Sequence, residues 1–100
     1  MEAVYTSDDE RFAAMCRALA NPVRLAIVRY VWHHPRCIGN QIQLHLPPRM
    51  ARAQSTLSQH LKILCAAGLL HAEADGPATC YVLNHEQFDW LCRKIGALRD

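Results

Sequence analysis

The sequence predicts a mainly α-helical domain carrying one small β-hairpin, in the order four helices, hairpin, closing helix. Three observations predict it. Apolar residues recur at helical spacing around Phe12, Leu57 and Phe88. That period gives way between residues 69 and 83 to two short runs that flank the turn residues Asp75-Gly76-Pro77-Ala78. A chain of 100 residues, 51% of them apolar, suffices for one core but not for two. The expected domain therefore spans residues 1–100.

Each element has its own signal. Ser7 and Glu10 have the spacing of a capping box, so a first helix begins there, with Phe12, Met15, Cys16 and Leu19 on its apolar stripe. Asn21-Pro22 ends it and starts the next. The second helix, about residues 22–32, carries Leu25, Val28 and Trp32 with Ile27, Tyr30 and Val31 close by. Being apolar over most of its girth, it reads as the central buried helix. His33-His34-Pro35 breaks it. A third helix, about residues 39–46, carries Ile42, Leu44 and Leu46 and is closed by Pro47-Pro48, which cannot continue a helix. The fourth, about residues 54–67, has Leu57, Leu61 and Leu64 as its inward stripe, Cys65 and Ala66 beside it, and Gly68 as the left-handed stop. The hairpin occupies about residues 69–83. The last helix starts near His85 with Phe88, Leu91, Cys92 and Ile95 at the spacing of the first.

Charge distribution says more than the net +2. No carboxylate occurs from Arg11 through Ala72, while Arg11, Arg17, Arg24, Arg29, Arg36, Arg49, Arg52 and Lys62 all lie in that stretch. The local field is positive and suits a polyanion. Arg11, Arg17 and Arg36 are scattered and read as ordinary solvated charges. Arg49, Arg52 and Lys62 flank or lie within the fourth helix and do not. No apolar run is long enough to span a bilayer, and the first ten residues are acidic, so a soluble, cytoplasmic protein without a membrane partner is expected. Five cysteines at irregular spacings contain no CxxC or CxC pair, which suits free thiols in a reducing compartment.

Helices three and four joined by a short connection, then a hairpin and a closing helix, describe a winged helix-turn-helix domain, in which the second helix of the pair enters the major groove. With the leucines turned inward, Gln54, Ser55, Ser58, Gln59 and Lys62 point away from the core, and Thr56 belongs to the same polar run. Gln bonds adenine through two atoms, Ser and Thr reach bases or phosphates, and Lys and Arg neutralise phosphates. The candidate DNA contacts are thus Arg49, Arg52, Gln54, Ser55, Thr56, Ser58, Gln59 and Lys62. The partner they fit is double-stranded operator DNA.

At these residues the chain also resembles a family. ALANPVRLAIV, AQSTLSQHLKILCAAGLL and GPATCYVL, in that order across residues 10–92, look like bacterial ArsR/SmtB-type repressors. The resemblance implies a homodimer built on the first and last helices, bound to an imperfect operator palindrome and released by a metal ion or another signal. The connection over residues 46–53, LPPRMARA, is longer than the family's usual turn.

A sensing site is not legible. Relatives that bind thiophilic ions at the third helix carry a Cys-x-Cys pair, where this chain has Cys37 alone, and one thiol cannot close a site for a soft ion. His85 and Asp89 share a helix face, but no His-x-x-His follows them. His33, His34, His45 and His71 lack ligand spacing, and His60 reads as support for the fourth helix. Cys16 and Cys92 occupy equivalent positions on the first and last helices. With Cys37 they are the candidates for a metal(loid) such as arsenite or for an oxidant, against the plainer role of small buried hydrophobes. The dimer seam is expected at Phe12, Met15, Leu19, Phe88, Leu91 and Ile95. Two rivals stand beside the repressor. A winged-helix module used only for protein contacts, with no inducer, would carry an apolar patch in place of Gln54, Ser58 and Gln59. A thiol enzyme would need a paired nucleophile and base, which this pattern lacks.

Overall fold

The computed structural model describes residues 7–50 and 54–100, with side chains from Asp8 to Met50 and from Ser55 onward. The chain runs α1 (Ser7–Leu19), α2 (Pro22–His33), β1 (Cys37–Ile38), α3 (Gly39–His45), α4 (Gln54–Ala66), β2 (Leu70–Asp75), β3 (Ala78–Leu83) and α5 (His85–Ala97). The Ser7 half of the expected capping box lies outside the described side chains.

Local chemistry sets the element boundaries. The Asn21 carboxamide oxygen accepts from the Val23 and Arg24 amides at 2.9 and 3.3 Å, and Pro22 occupies the first turn, where no amide is needed. The Gln41 side chain reaches back to the Ile38 amide at 2.9 Å and steadies the start of α3. At the end of α4, the Leu69 amide bonds the Leu64 carbonyl and the Gly68 amide bonds the Cys65 carbonyl, both at 3.0 Å, with Gly68 at φ +81. That pair of bonds is a Schellman cap. Asn84 caps α5 by accepting from the Gln87 amide at 3.2 Å.

The hairpin is part of a three-stranded antiparallel sheet in the order β1-β3-β2, with Leu70 opposite Leu83, Asp75 opposite Ala78, and Cys37 opposite Tyr81. Gly76 at φ +61, followed by Pro77, makes the two-residue turn of type II′ that the strand twist favours. Strand β1 was not expected. Its two residues are too short for any period to reveal.

One core joins all five helices and the sheet. Met15 and Ala18 of α1, Ile27, Val28 and Val31 of α2, Ile42 of α3, Leu57, Leu61 and Leu64 of α4, and Leu69, Leu70, Leu83 and Leu91 are buried together. Four expected core positions differ. Leu44 is 84% exposed because it sits on the outer side of α3, between inward Ile42 and Leu46. Leu25 and Trp32 are also exposed, so α2 buries one face rather than its whole girth. On α1 the buried neighbour of Met15 is Ala18, while Cys16 faces outward.

Candidate nucleic-acid interface

Helix α4 is held from one side only. Leu57 and Leu61 are each 4% exposed and Leu64 is fully buried, whereas Ser55, Thr56, Ser58, Gln59 and Lys62 are exposed on the opposite side. Burying each leucine contributes about 1.5–3 kcal/mol. The polar residues are thereby free of any task in the core. Arg52 lies outside the described residues, and the Gln54 side chain is likewise not described. Arg49 is exposed in the turn after α3, where the Met50 amide bonds the Pro47 carbonyl at 2.8 Å.

The surroundings of α4 give the face its shape. Ser58 shares a cleft of about 290 Å³ with Gly39 and Asn40 at the start of α3 and with Thr79 and Tyr81 of β3. Ser58 and Lys62 border a second cleft together with Ala72 and Tyr81. The start of the first motif helix, the polar face of the second and the inner part of the wing therefore form one continuous surface. Asn40 and Thr79 join the face only through folding, and no spacing in the chain could have marked them.

Arg24 fixes α4 against the other helices. Its Nε donates to the Ala18 carbonyl at 2.6 Å and Nη2 to the Arg17 carbonyl at 3.3 Å, satisfying the C-terminal end of α1. Nη1 lies 3.2 Å from His60 Nδ1 on α4. A guanidinium has no acceptor, so His60 Nδ1 must present a lone pair and the ring must be neutral. Burial first, and the Arg24 charge second, lower the His60 pKa below its ordinary 6.5. His60 thus supports α4, as its position suggested, while the tie through Arg24 was invisible in the sequence.

The other expected residues distribute as follows. Arg36 pairs with Glu73 at 3.2 Å on the surface, a bond between β2 and the turn before β1. Arg11 lies 3.9 Å over the Trp90 ring and donates to Gln87, and Lys94 pairs with Asp8 at 3.4 Å, so α1 and α5 of one chain are tied together. Met15 and Leu91 are each only 1% exposed. Both side chains are used by the chain's own core. Phe12, Leu19 and Phe88 are half-buried, and Ile95 is 49% exposed.

Cys16 and Cys92 are exposed and Cys37 is buried in β1. Desolvation, opposed by a backbone hydrogen bond and aided by nearby Cys80, raises the Cys37 pKa and keeps its thiol protonated. Burial likewise raises Cys65. His85 packs against Trp32 with ring centres 5.0 Å apart. Among the described residues no three of His, Cys, Asp and Glu are grouped to hold a metal ion, and no helix is long and apolar enough to cross a membrane.

Comparison with known proteins agrees with this geometry. Residues 22–98 match the family model of the penicillinase repressor. Over 70 residues the chain is 43% identical to the HTH-type transcriptional repressor SmtB of Mycobacterium tuberculosis, an alignment that covers 69% of this chain and 47% of that protein. The chain thus spans about half the length of that curated relative. An ArsR-like transcriptional regulator from Rhodococcus sp. RHA1 superposes with a TM-score of 0.80 at 17% identity, covering 93% of this chain and 83% of the other. The homodimeric winged helix-turn-helix DNA-binding domain Mb0332 of Mycobacterium bovis superposes with a TM-score of 0.69 at 21% identity, covering 99% and 91%. These last two likenesses speak to the fold, and the family match and the repressor relative speak to descent. With its leucine-backed polar helix beside a hairpin wing, the chain belongs to the winged helix-turn-helix transcriptional repressors of ArsR/SmtB type, within the span of the penicillinase-repressor family model.

Proposed function

We propose that the chain represses transcription by occupying an operator as a homodimer, with α4 of each protomer in successive major grooves. The observation that supports it is the contrast across α4. One side is sealed by leucines at 0–4% exposure, and the other presents Ser55, Thr56, Ser58, Gln59 and Lys62 without an acidic residue among them. Gln54, Ser55, Thr56, Ser58 and Gln59 read bases, while Arg49, Arg52, Lys62 and the wing hold phosphates. A module built only for protein contacts would present an apolar surface here. The homodimeric M. bovis domain of the same fold supports the dimer, and the two recognition helices then lie about 34 Å apart. For release by a soft ion or an oxidant, Cys16 and Cys92 are the thiols within reach of solvent, whereas Cys37 is shielded.

Titrating the parent and the Gln59→Ala and Ser58→Ala variants against duplexes from the chain's own promoter and against scrambled duplexes tests the reading. Each substitution weakens specific binding by about 1–3 kcal/mol and leaves non-specific binding nearly intact. Equal losses on both duplexes would remove these residues from base readout.

A further inference from the structure

His34 and His45 have no ligand spacing in the sequence, being separated by β1 and nearly all of α3. Folding brings them together. Tyr30 stacks on His34 with ring centres 4.0 Å apart and planes 15° from parallel, and it lies 4.4 Å from the His45 ring. The two imidazoles are 5.6 Å apart, centre to centre. With His33, Ala26, Arg29 and Leu46 they line a cleft of about 340 Å³ between α2 and the end of α3.

The His34 ring is already oriented. Its Nδ1 lies 2.9 Å from the Tyr30 carbonyl oxygen. A carbonyl only accepts, so Nδ1 carries a proton, and in the neutral ring the free lone pair is on Nε2. One ring nitrogen anchored on a backbone carbonyl is how proteins fix the tautomer and direction of a histidine ligand. Two imidazoles sharing one ion through bonds of about 2.0–2.1 Å hold their ring centres roughly 5–5.6 Å apart at tetrahedral to trigonal angles. The observed separation falls in that range.

We propose that His34 and His45 form a binding site for a borderline divalent transition-metal ion of the Ni²⁺, Cu²⁺ and Zn²⁺ group, bridging the C-terminal ends of α2 and α3. The donor set selects the class of ion. Imidazole suits these three, whereas Ca²⁺ and Mg²⁺ need oxygen ligands and soft ions need thiolates. The cleft is lined by neither a carboxylate nor a cysteine, and Arg29 on its wall opposes any cation held by charge alone. Two protein nitrogens leave the remaining positions to water, in keeping with the lack of a three-ligand cluster among the described residues. The ion would tie the first helix of the helix-turn-helix pair to the central helix, in a cleft that no cysteine lines.

Equilibrium dialysis of the full chain with Ni²⁺ or Zn²⁺ tests the site, in a Cys16→Ser, Cys92→Ser background that removes the exposed thiols. About one ion per chain is expected to bind. Binding falls to none at the same free-ion concentration in His34→Gln and in His45→Gln, and it is unchanged in His71→Gln. Proton NMR of the parent with substoichiometric Ni²⁺ gives a second readout that does not depend on the variants folding, since the His34 and His45 ring signals broaden first. Retention of the ion when both histidines are replaced, or the absence of binding at about 100 μM free ion, would overturn the proposal. No DNA enters the experiment, so its outcome is independent of the operator reading.

Discussion

The contact between Arg24 and His60 predicts that the stability of α4 responds to protons. The neutral ring accepts from the guanidinium at 3.2 Å, and protonation removes that acceptor and places two positive charges side by side. Because the folded pKa lies below the unfolded one, the unfolded chain binds the proton first as pH falls. The stabilisation is therefore complete above about pH 6.5 and is lost as pH drops through the lower folded value. Thermal melts of the parent and of His60→Gln between pH 7.5 and about pH 5 check this by difference, which cancels the other histidines. The parent loses more stability on acidification than the variant. Parallel curves would mean that the contact carries no proton linkage.

At the scale of the element, α4 depends on its leucine stripe and on its stop. Leu64 is fully buried, so Leu64→Ala lowers stability by about 2–5 kcal/mol in denaturant titrations. Gly68 has open space where a methyl group would sit, the nearest atom being Gln87 Cγ at 4.0 Å, yet its φ of +81 disfavours any side chain. Gly68→Ala therefore costs about 1–2 kcal/mol through backbone strain rather than collision. On the outer side of the same helix, Lys62→Ala should weaken binding to operator and scrambled DNA alike, as should Arg52→Ala in the preceding connection. Each lowers the slope of log K against log salt by about one unit, because one counterion fewer is released. An unchanged slope would place these side chains off the backbone.

The whole molecule separates two roles that one apolar stripe suggested. Leu91 is 1% exposed and belongs to the core of its own chain, whereas Ile95 is 49% exposed on the same helix and Leu98, just past its end, 71%. Leu91→Lys buries an unpaired charge and unfolds the chain, seen as loss of the far-UV helical signal. Ile95→Lys leaves the fold intact and dissociates the proposed dimer, seen by sedimentation at micromolar concentration. Operator affinity falls with it, since one half-site recruits too few contacts. A folded Ile95→Lys dimer with full affinity would move the seam elsewhere.

Period, caps and turn residues were sufficient to determine the five helices, the hairpin, the Gly68 stop and the division of α4 into a leucine side and a polar side. Each of those is a local property, set within a few residues by backbone sterics and by which side chains avoid water. Tertiary structure alone decided the rest. Strand β1 exists because β3 offers it a ladder, since two residues have no strand preference of their own. Leu44 and Met15 look alike as apolar residues on helical stripes, but which of them is buried depends on the direction from which the other elements approach. The same holds for the Arg24 clamp on His60, for Asn40 and Thr79 beside Ser58, and for the pairing of His34 with His45. These contacts join residues remote in sequence, and spacing along the chain carries no information about them until the core has set the helices against one another.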